Sequence, residues 1–323
     1  PPPDPAWPIH NYSHTETYTH HPSYSIDPDA LYSMINQQAL YPPAYYVQIH
    51  GKHNEKEQSE SKKSGREITD FYFRINISHL LGPRGSGQLE IPPNNKRAYR
   101  GTRFPSLKPS LSDPESRDAL FVWCEKYVSD SSKIKSFTLC RKIRNHNTQK
   151  LYQLIKSAIS ETRYQGQVYI TFPSTHCKVV VYSPSRINKW RTTLLTRWLF
   201  YLTFLWIMAW PLLIFLTRRY EMVSSVFYFA DSPDIKDLNR KCKVCSEVEW
   251  FLNWKSAIKR AVLTGINIGE SALTDEYRIE VNQRKNADAA KTIVPFATTA
   301  FDAFAHPMSV STEYDLIDME SNS

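Results

Sequence analysis

Few residues in this chain are spaced for chemistry. Cys242 and Cys245 form a CxxC pair. A structural zinc asks for four soft ligands, and no second CxxC or His pair lies nearby in sequence. A thioredoxin-like redox role needs a β-strand ahead of the pair, and the preceding Ile235–Lys241 is polar and charged. Cys124, Cys140 and Cys177 sit among apolar neighbours, the usual setting of buried core thiols. Six of the ten histidines, His10, His14, His20, His21, His50 and His53, come early but at irregular spacing, which reads as surface histidine rather than a metal tail. Gly82–Gly87 (GPRGSG) lacks the Lys-Ser/Thr that completes a phosphate loop, and neither HExxH nor GxSxG occurs. The expectation is a non-catalytic protein without cofactor or metal.

Three stretches point instead to binding. Pro42-Pro43-Ala44-Tyr45 is a PPxY. Its prolines favour a preformed polyproline II turn, and its tyrosine is what the pocket of a WW domain takes. These four residues resemble the motif by which membrane adaptor proteins recruit WW-containing ubiquitin ligases of the HECT type; the resemblance implies contacts through Pro42, Pro43 and Tyr45. Tyr45 also opens a strand candidate, and a sheet-paired tyrosine cannot enter such a pocket. Tyr314-Asp315-Leu316-Ile317 fits a YxxΦ sorting pattern through Tyr314 and Ile317, a weak signal in a chain with 19 tyrosines. Lys96, Arg97, Arg100, Arg103 and Lys108 form a basic run without an acid, interleaved with Tyr99 and Phe104. Such a run suits anionic lipid headgroups, at about 1 kcal/mol per close cation. The same pattern can meet RNA, but no RNA-binding signature accompanies it, so nucleic acid is not the expected partner.

The elements that must carry these stretches follow from periodicity. Residues 1–41 are rich in Pro, His, Ser and Tyr without a sustained period and read as disordered. Residues 42–183 read as an α+β domain, a small mixed α/β sandwich, with mobile loops at 52–67 and 83–112. Its strand candidates are Tyr45–His50, Asp70–Ser78, Lys135–Ile143, Gln167–Phe172 and Cys177–Tyr182. In Asp70–Ser78 the residues Phe71, Phe73, Ile75 and Ile77 alternate with polar ones. Helices are expected over 112–129 and 148–163, the latter with Leu151, Leu154, Ile155, Ala158 and Ile159 on one face. Paired strands with interposed helices favour α+β over a doubly wound sheet.

Residues 184–219 read as a basic connector and a hydrophobic helix. Trp198–Thr217 is 20 residues without a charge. At 1.5 Å rise it reaches about 30 Å, the hydrocarbon thickness of a bilayer, so it predicts one transmembrane helix kinked at Pro211. Five cations precede it within twenty residues and three follow, which places the N-terminal domain in the cytosol. Its modest length favours a thin endomembrane (ER, Golgi or vacuole) over the plasma membrane. The alternative is a shallow hairpin that enters and leaves on one face. That case applies if Tyr220–Phe229, apolar and β-prone, joins the N-terminal sheet.

Residues 220–268 hold this strand candidate and an amphipathic helix, Glu247–Leu263, whose face of Trp250, Phe251, Trp254, Ile258 and Val262 packs on protein, lies in the membrane interface or docks a partner. Residues 269–323 read as a disordered tail. The balance of 40 Lys and Arg against 32 Asp and Glu, net +8, suits an anionic surface. Nine glycines argue against a Gly-loop nucleotide fold, and five cysteines against a disulfide scaffold. The functional expectation is a single-pass adaptor or scaffold at an endomembrane, with a subunit of a membrane complex and a tethered enzyme as alternatives.

Overall fold

The computed structural model describes residues 10–11, 16–55, 66–93, 96–106, 119–204, 206–234 and 239–287. Two compact units divide the chain after Thr274. The described part of the second, residues 275–287, is helical. The first unit runs β1 (Glu16–Thr19), α1 (Pro28–Ala39), β2 (Ala44–Glu55), β3 (Arg66–Asn76), β4 (Gln88–Glu90), β5 (Arg100–Thr102), α2 (Ala119–Ser129), β6 (Lys135–Arg144), α3 (Thr148–Ser160), β7 (Gln167–Thr171) and β8 (Lys178–Tyr182). It continues with α4 (Arg186–Thr192), α5 (Leu194–Leu202), α6 (Trp206–Leu216), β9 (Arg218–Tyr228), α7 (Glu247–Leu263) and β10 (Asn267–Leu273).

The strands form two sheets, a mixed α+β architecture. The first runs His10–Asn11, β1, β8, β6, β9, β4, with β5 also paired to β9. Its centre is the parallel pair β6 and β9, both buried over most of their length. Their inner stretches, 137–140 and 222–227, are apolar or small, as a strand covered on both faces requires, and the buried Lys135 and Arg141 of β6 are hydrogen-bonded to backbone carbonyls. One core cluster joins α1 and α2 to this sheet: Leu31 and Ile35, Trp123 and Tyr127, then Phe137, Leu139, Val179 and Val181. The second sheet runs β10, β3, β2, β7. Val47 and Ile49 of β2 and Phe71, Phe73 and Ile75 of β3 are buried, while the residues between them reach solvent. Gly51 is required there, because a Cβ would stand 2.2 Å from the Phe71 ring. Helices α3 and α7 pack on each other, and α3 on β7.

Several expectations change. The loop expected at 83–112 holds β4 and β5, both paired with β9, and the tail expected to be disordered from 269 begins with the end of β10 and the helix over 275–287. The segment 1–41 is not without structure: β1, the short helix Ser23–Ile26 and α1 lie within it, and Tyr24, Leu31, Met34, Ile35 and Ala39 are buried. Residues before His10 and between Asn11 and Glu16 lie outside the described residues. The apolar face of α7 is no docking face: Trp250, Phe251, Trp254, Ile258 and Val262 are buried within the unit.

The transmembrane helix is also overturned. Among the described residues no helix is long and apolar enough to cross a membrane. Trp198–Thr217 falls into two helices, α5 and α6, broken at Thr203–Phe204, where Phe204 has φ 56°. Thr203 Oγ1 donates to the Leu199 carbonyl at 2.7 Å as α5 ends. Pro211 lies inside α6 and is not the break. The strands on either side decide the topology. Tyr182 of β8 and Arg219 of β9 both pair with Ser136 of β6, one from each side. The segment therefore leaves and re-enters one end of one sheet. The single span falls, and with it the endomembrane localisation and the sidedness derived from it.

Candidate functional site

The hairpin grows from a firmly tied base. Ser185 caps α4 by accepting from the Asn188 backbone N–H at 3.4 Å. Asn188, fully buried, donates through Nδ2 to the Ser183 carbonyl at 3.1 Å and to its Oγ at 2.8 Å. Thr192 lies 3.0 Å from His20 Nε2. On the return side the Arg218 N–H donates to the Ile134 carbonyl at 3.0 Å, and buried Thr217 donates from Oγ1 to the Leu213 carbonyl at 2.7 Å. Between these ties the sequence is apolar. Helix α6 (WIMAWPLLIFL) has no polar side, the composition of a helix that is covered all round, by protein or by lipid.

The fold hides little of it. Leu195 is 81% exposed, Met208 79% and Leu202 74%. Trp198, Leu199, Phe204, Ile207, Leu212 and Phe215 are exposed as well. Scattered apolar side chains are ordinary on a protein surface, but a contiguous patch marks an interaction site.

Cations surround the base of this patch. Arg186 and Lys189 of α4 are exposed. The basic run identified in the sequence arrives through β5, which pairs with β9 at Arg219↔Thr102 and Tyr220↔Arg100. Phe104 then meets Phe215 of α6 edge to face, with ring centroids 5.5 Å apart. Lys96, Arg97 and Arg103 are exposed beside it. Arg100 has a different task from the one expected: its guanidinium donates to the carbonyls of Pro93 (3.0 Å), Lys96 (3.2 Å) and Ser106 (3.3 Å) and so shapes the loop. Lys108 lies outside the described residues.

Strand alternation sorts the next two arginines. Arg218 pairs with Asp130 at 3.2 Å, and Asp130 also accepts from the Tyr220 hydroxyl at 2.9 Å. Burial acts to raise the Asp130 carboxyl, but hydrogen bonds from Ser132 and Tyr220 and the charge of Arg218 outweigh it and hold the group below the usual carboxylate range. Arg219 turns the other way and lies over the Tyr99 ring, 5.3 Å from its centroid.

A second polar cluster sits elsewhere, around α7. Glu247, 2% exposed, accepts from Arg240 at 2.8 and 3.1 Å and from the Asn147 backbone N–H at 3.0 Å. Burial raises its carboxyl, but Arg240 and the backbone donors reverse this and lower it. His146 stacks on Phe229 at 4.4 Å, and burial pushes its pKa down to about 4, so it is neutral at pH 7. Cys242 and Cys245 are free thiols, both pushed up by burial, which makes them poor nucleophiles. No group of His, Cys, Asp or Glu among the described residues could hold a metal ion.

This cluster disposes of the WW motif. Tyr45 is 5% exposed, hydrogen-bonded from its hydroxyl to His146 Nδ1 at 2.8 Å and from its backbone N–H to Ser78 Oγ at 2.8 Å. Pro43 is buried beside it. A WW groove would have to draw Tyr45 out of β2. Tyr314 and Ile317 lie outside the described residues.

Sequence reasoning found the apolar segment and the basic run but did not join them. The available signal was the apolar strand that follows the segment, since a strand returning to the sheet forces the loop back to its base. Compared with known protein families, curated proteins and solved structures, the chain matches none.

Proposed function

We propose that this chain is a non-catalytic binding protein that docks on an anionic lipid surface from one side. The hairpin seats in the facing leaflet without crossing it, and the cations at its base rest on the headgroups. The observation that carries this is the pairing of Tyr182 and Arg219 with the same Ser136, which puts both ends of an exposed apolar hairpin at one end of one sheet. Size agrees. Helices α5 and α6, of 9 and 11 residues, measure about 14 and 17 Å at 1.5 Å per residue. That is roughly half of a hydrocarbon core about 30 Å thick. Each exposed Leu or Met taken from water contributes about 1.5–3 kcal/mol, and each cation near an anionic surface about 1 kcal/mol. Stable anchoring takes two signals of this kind, an apolar insertion and a basic patch.

Flotation of the full chain with vesicles tests the proposal. Wild type is expected to rise with phosphatidylcholine vesicles that carry phosphatidylserine, less with phosphatidylcholine alone, and less in high salt. The Leu199→Asp, Leu212→Asp double variant is expected to stay at the bottom while remaining folded. Wild type left at the bottom, or a double variant that floats equally, would overturn it and turn attention to a protein partner for the same patch.

A further inference from the structure

A cavity of about 500 Å³ lies among α4, the two helices of the hairpin and the start of β9. Ligand pockets span roughly 300–1,000 Å³ and are mostly apolar with a few placed polar groups. This one fits that description in an ordered way. Trp190 of α4, Phe200 and Tyr201 of α5 and Leu213 of α6 line its apolar part. Arg191 and Arg219 also line it. Both arginines belong to the base of the hairpin rather than its arms. Arg219 is the lateral neighbour of Ser136, and so is Tyr182 on the other side, so these three side chains share one face of the sheet. Arg191 lies over the Tyr182 ring, 5.3 Å from its centroid, as Arg219 lies over Tyr99. Among the described residues neither has an ion-pair partner, whereas the adjacent Arg218 is paired to Asp130. The stacking rings hold both guanidinium planes in place while leaving their N–H edges for an acceptor.

We propose that this cavity holds a single anionic lipid molecule, its acyl chain against Trp190, Phe200, Tyr201 and Leu213 and its phosphate on Arg191 and Arg219. The inference rests on the lipid-docking reading for its setting but asks for more: a one-to-one site with a preference for the head, beyond a general affinity for an acidic surface. Phosphate suits the pair because guanidinium groups bind it through two parallel hydrogen bonds. An apolar chain suits the remainder, since the lining offers no carboxylate to repel the head and, beyond the two arginines, only the Tyr201 hydroxyl and the indole N–H groups of Trp190 and Trp206 as polar atoms.

The test is native mass spectrometry of the full chain released from detergent micelles doped with either phosphatidic acid or phosphatidylcholine. Flotation is run in parallel on the same preparations. Wild type is expected to retain one phosphatidic acid, and at least about tenfold less phosphatidylcholine, whose phosphodiester has one free oxygen and one charge fewer and carries a choline cation that the two arginines repel. Arg191→Gln with Arg219→Gln should remove that preference. Leu213→Trp, which fills the cavity and leaves the exposed side of the hairpin unchanged, should remove retention of either lipid yet still float. Equal retention of the two lipids, several adducts without saturation, or retention that survives Leu213→Trp would overturn the inference. Wild type that floats without retaining a lipid would sink the cavity site and leave surface docking standing. Retention without flotation would do the reverse.

Discussion

Helices α6 and α7 are both rich in tryptophan and aliphatic residues, yet the fold uses them in opposite ways. In α7 the apolar residues recur on one face, with Lys255, Lys259 and Arg260 among its other positions, and that face is buried. Lys255 and Lys259 both reach Glu161 just beyond α3, at 2.9 and 3.1 Å, which fixes the rotation of α7 about its axis. In α6 every position is apolar, so it needs cover all round, and Met208 and Leu212 remain in water. A one-sided apolar stripe is satisfied by the chain's own core; an all-round one that the core leaves exposed asks for something outside it. The two helices should therefore respond differently to the same kind of damage.

The largest effect belongs to α7. Trp254→Ala is expected to destabilise the unit by ~3–5 kcal/mol, as large-to-small changes of buried aromatics do. Leu202→Asp in the hairpin should shift stability by less than about 0.5 kcal/mol, the range of surface changes, while weakening vesicle binding severely. Urea unfolding and flotation on both variants read this crossing of effects. A hairpin variant that unfolds as readily as Trp254→Ala would show that the apolar arms serve the core after all.

Glu247→Gln comes next. It leaves the Arg240 guanidinium, with a side chain 11% exposed, beside a neutral amide. Breaking one partner of a buried pair costs about 3–5 kcal/mol, and the retained amide should hold the loss near the lower end, measured as a drop in the urea midpoint.

The region around α7 should also make stability depend on pH. His146 is held neutral by burial, with a pKa near 4 in the folded chain and an ordinary value of 6.5 when unfolded. Between these values the unfolded chain binds the proton and the folded chain does not. Stability is then full above pH 6.5 and falls as pH drops toward 4, by at most about 3 kcal/mol. His146→Asn should flatten that slope in urea midpoints taken from pH 7 to 4.5; an unchanged slope would assign it to other groups.

The smallest effects fall at the rim of the hairpin. Replacing Lys96, Arg97 and Arg103 by Gln should weaken binding to phosphatidylserine vesicles by about 1 kcal/mol each. It should leave the urea midpoint in place and reduce the salt dependence of flotation. Arg100→Gln should differ from these three by loosening the loop, since its guanidinium holds three carbonyls.

What was legible in the sequence divides along the same lines. Strict alternation marked Asp70–Ser78, and helical spacing marked Thr148–Arg163 and Glu247–Leu263, because in each a single face is buried and the pattern records it. The Pro- and His-rich composition of residues 1–41 masked α1, although Leu31, Met34 and Ile35 already have helical spacing. The parallel pairing of β6 with β9 joins residues more than eighty apart, and nothing local announces such a partner. The same gap produced the false span. Twenty uncharged residues look alike whether they run straight or fold back. The break at Thr203–Phe204 uses a left-handed phenylalanine instead of the glycine or proline that would signal a turn. As for the binding residues, the basic run was visible as charge, but its place beside Phe215 came only with β5.

Proteolysis on sealed vesicles tests one-sided docking most directly. Specific protease sites are inserted in the exposed turn at Arg84, ahead of the hairpin, and at exposed Asp234, after it, and the full chain is added from outside to phosphatidylcholine–phosphatidylserine vesicles. The account predicts that both sites are cut at the rate seen without lipid, while a nonspecific protease leaves the peptide spanning residues 194–216 protected only when vesicles are present. Protection of either inserted site, or a hairpin cut equally well with and without vesicles, would contradict it.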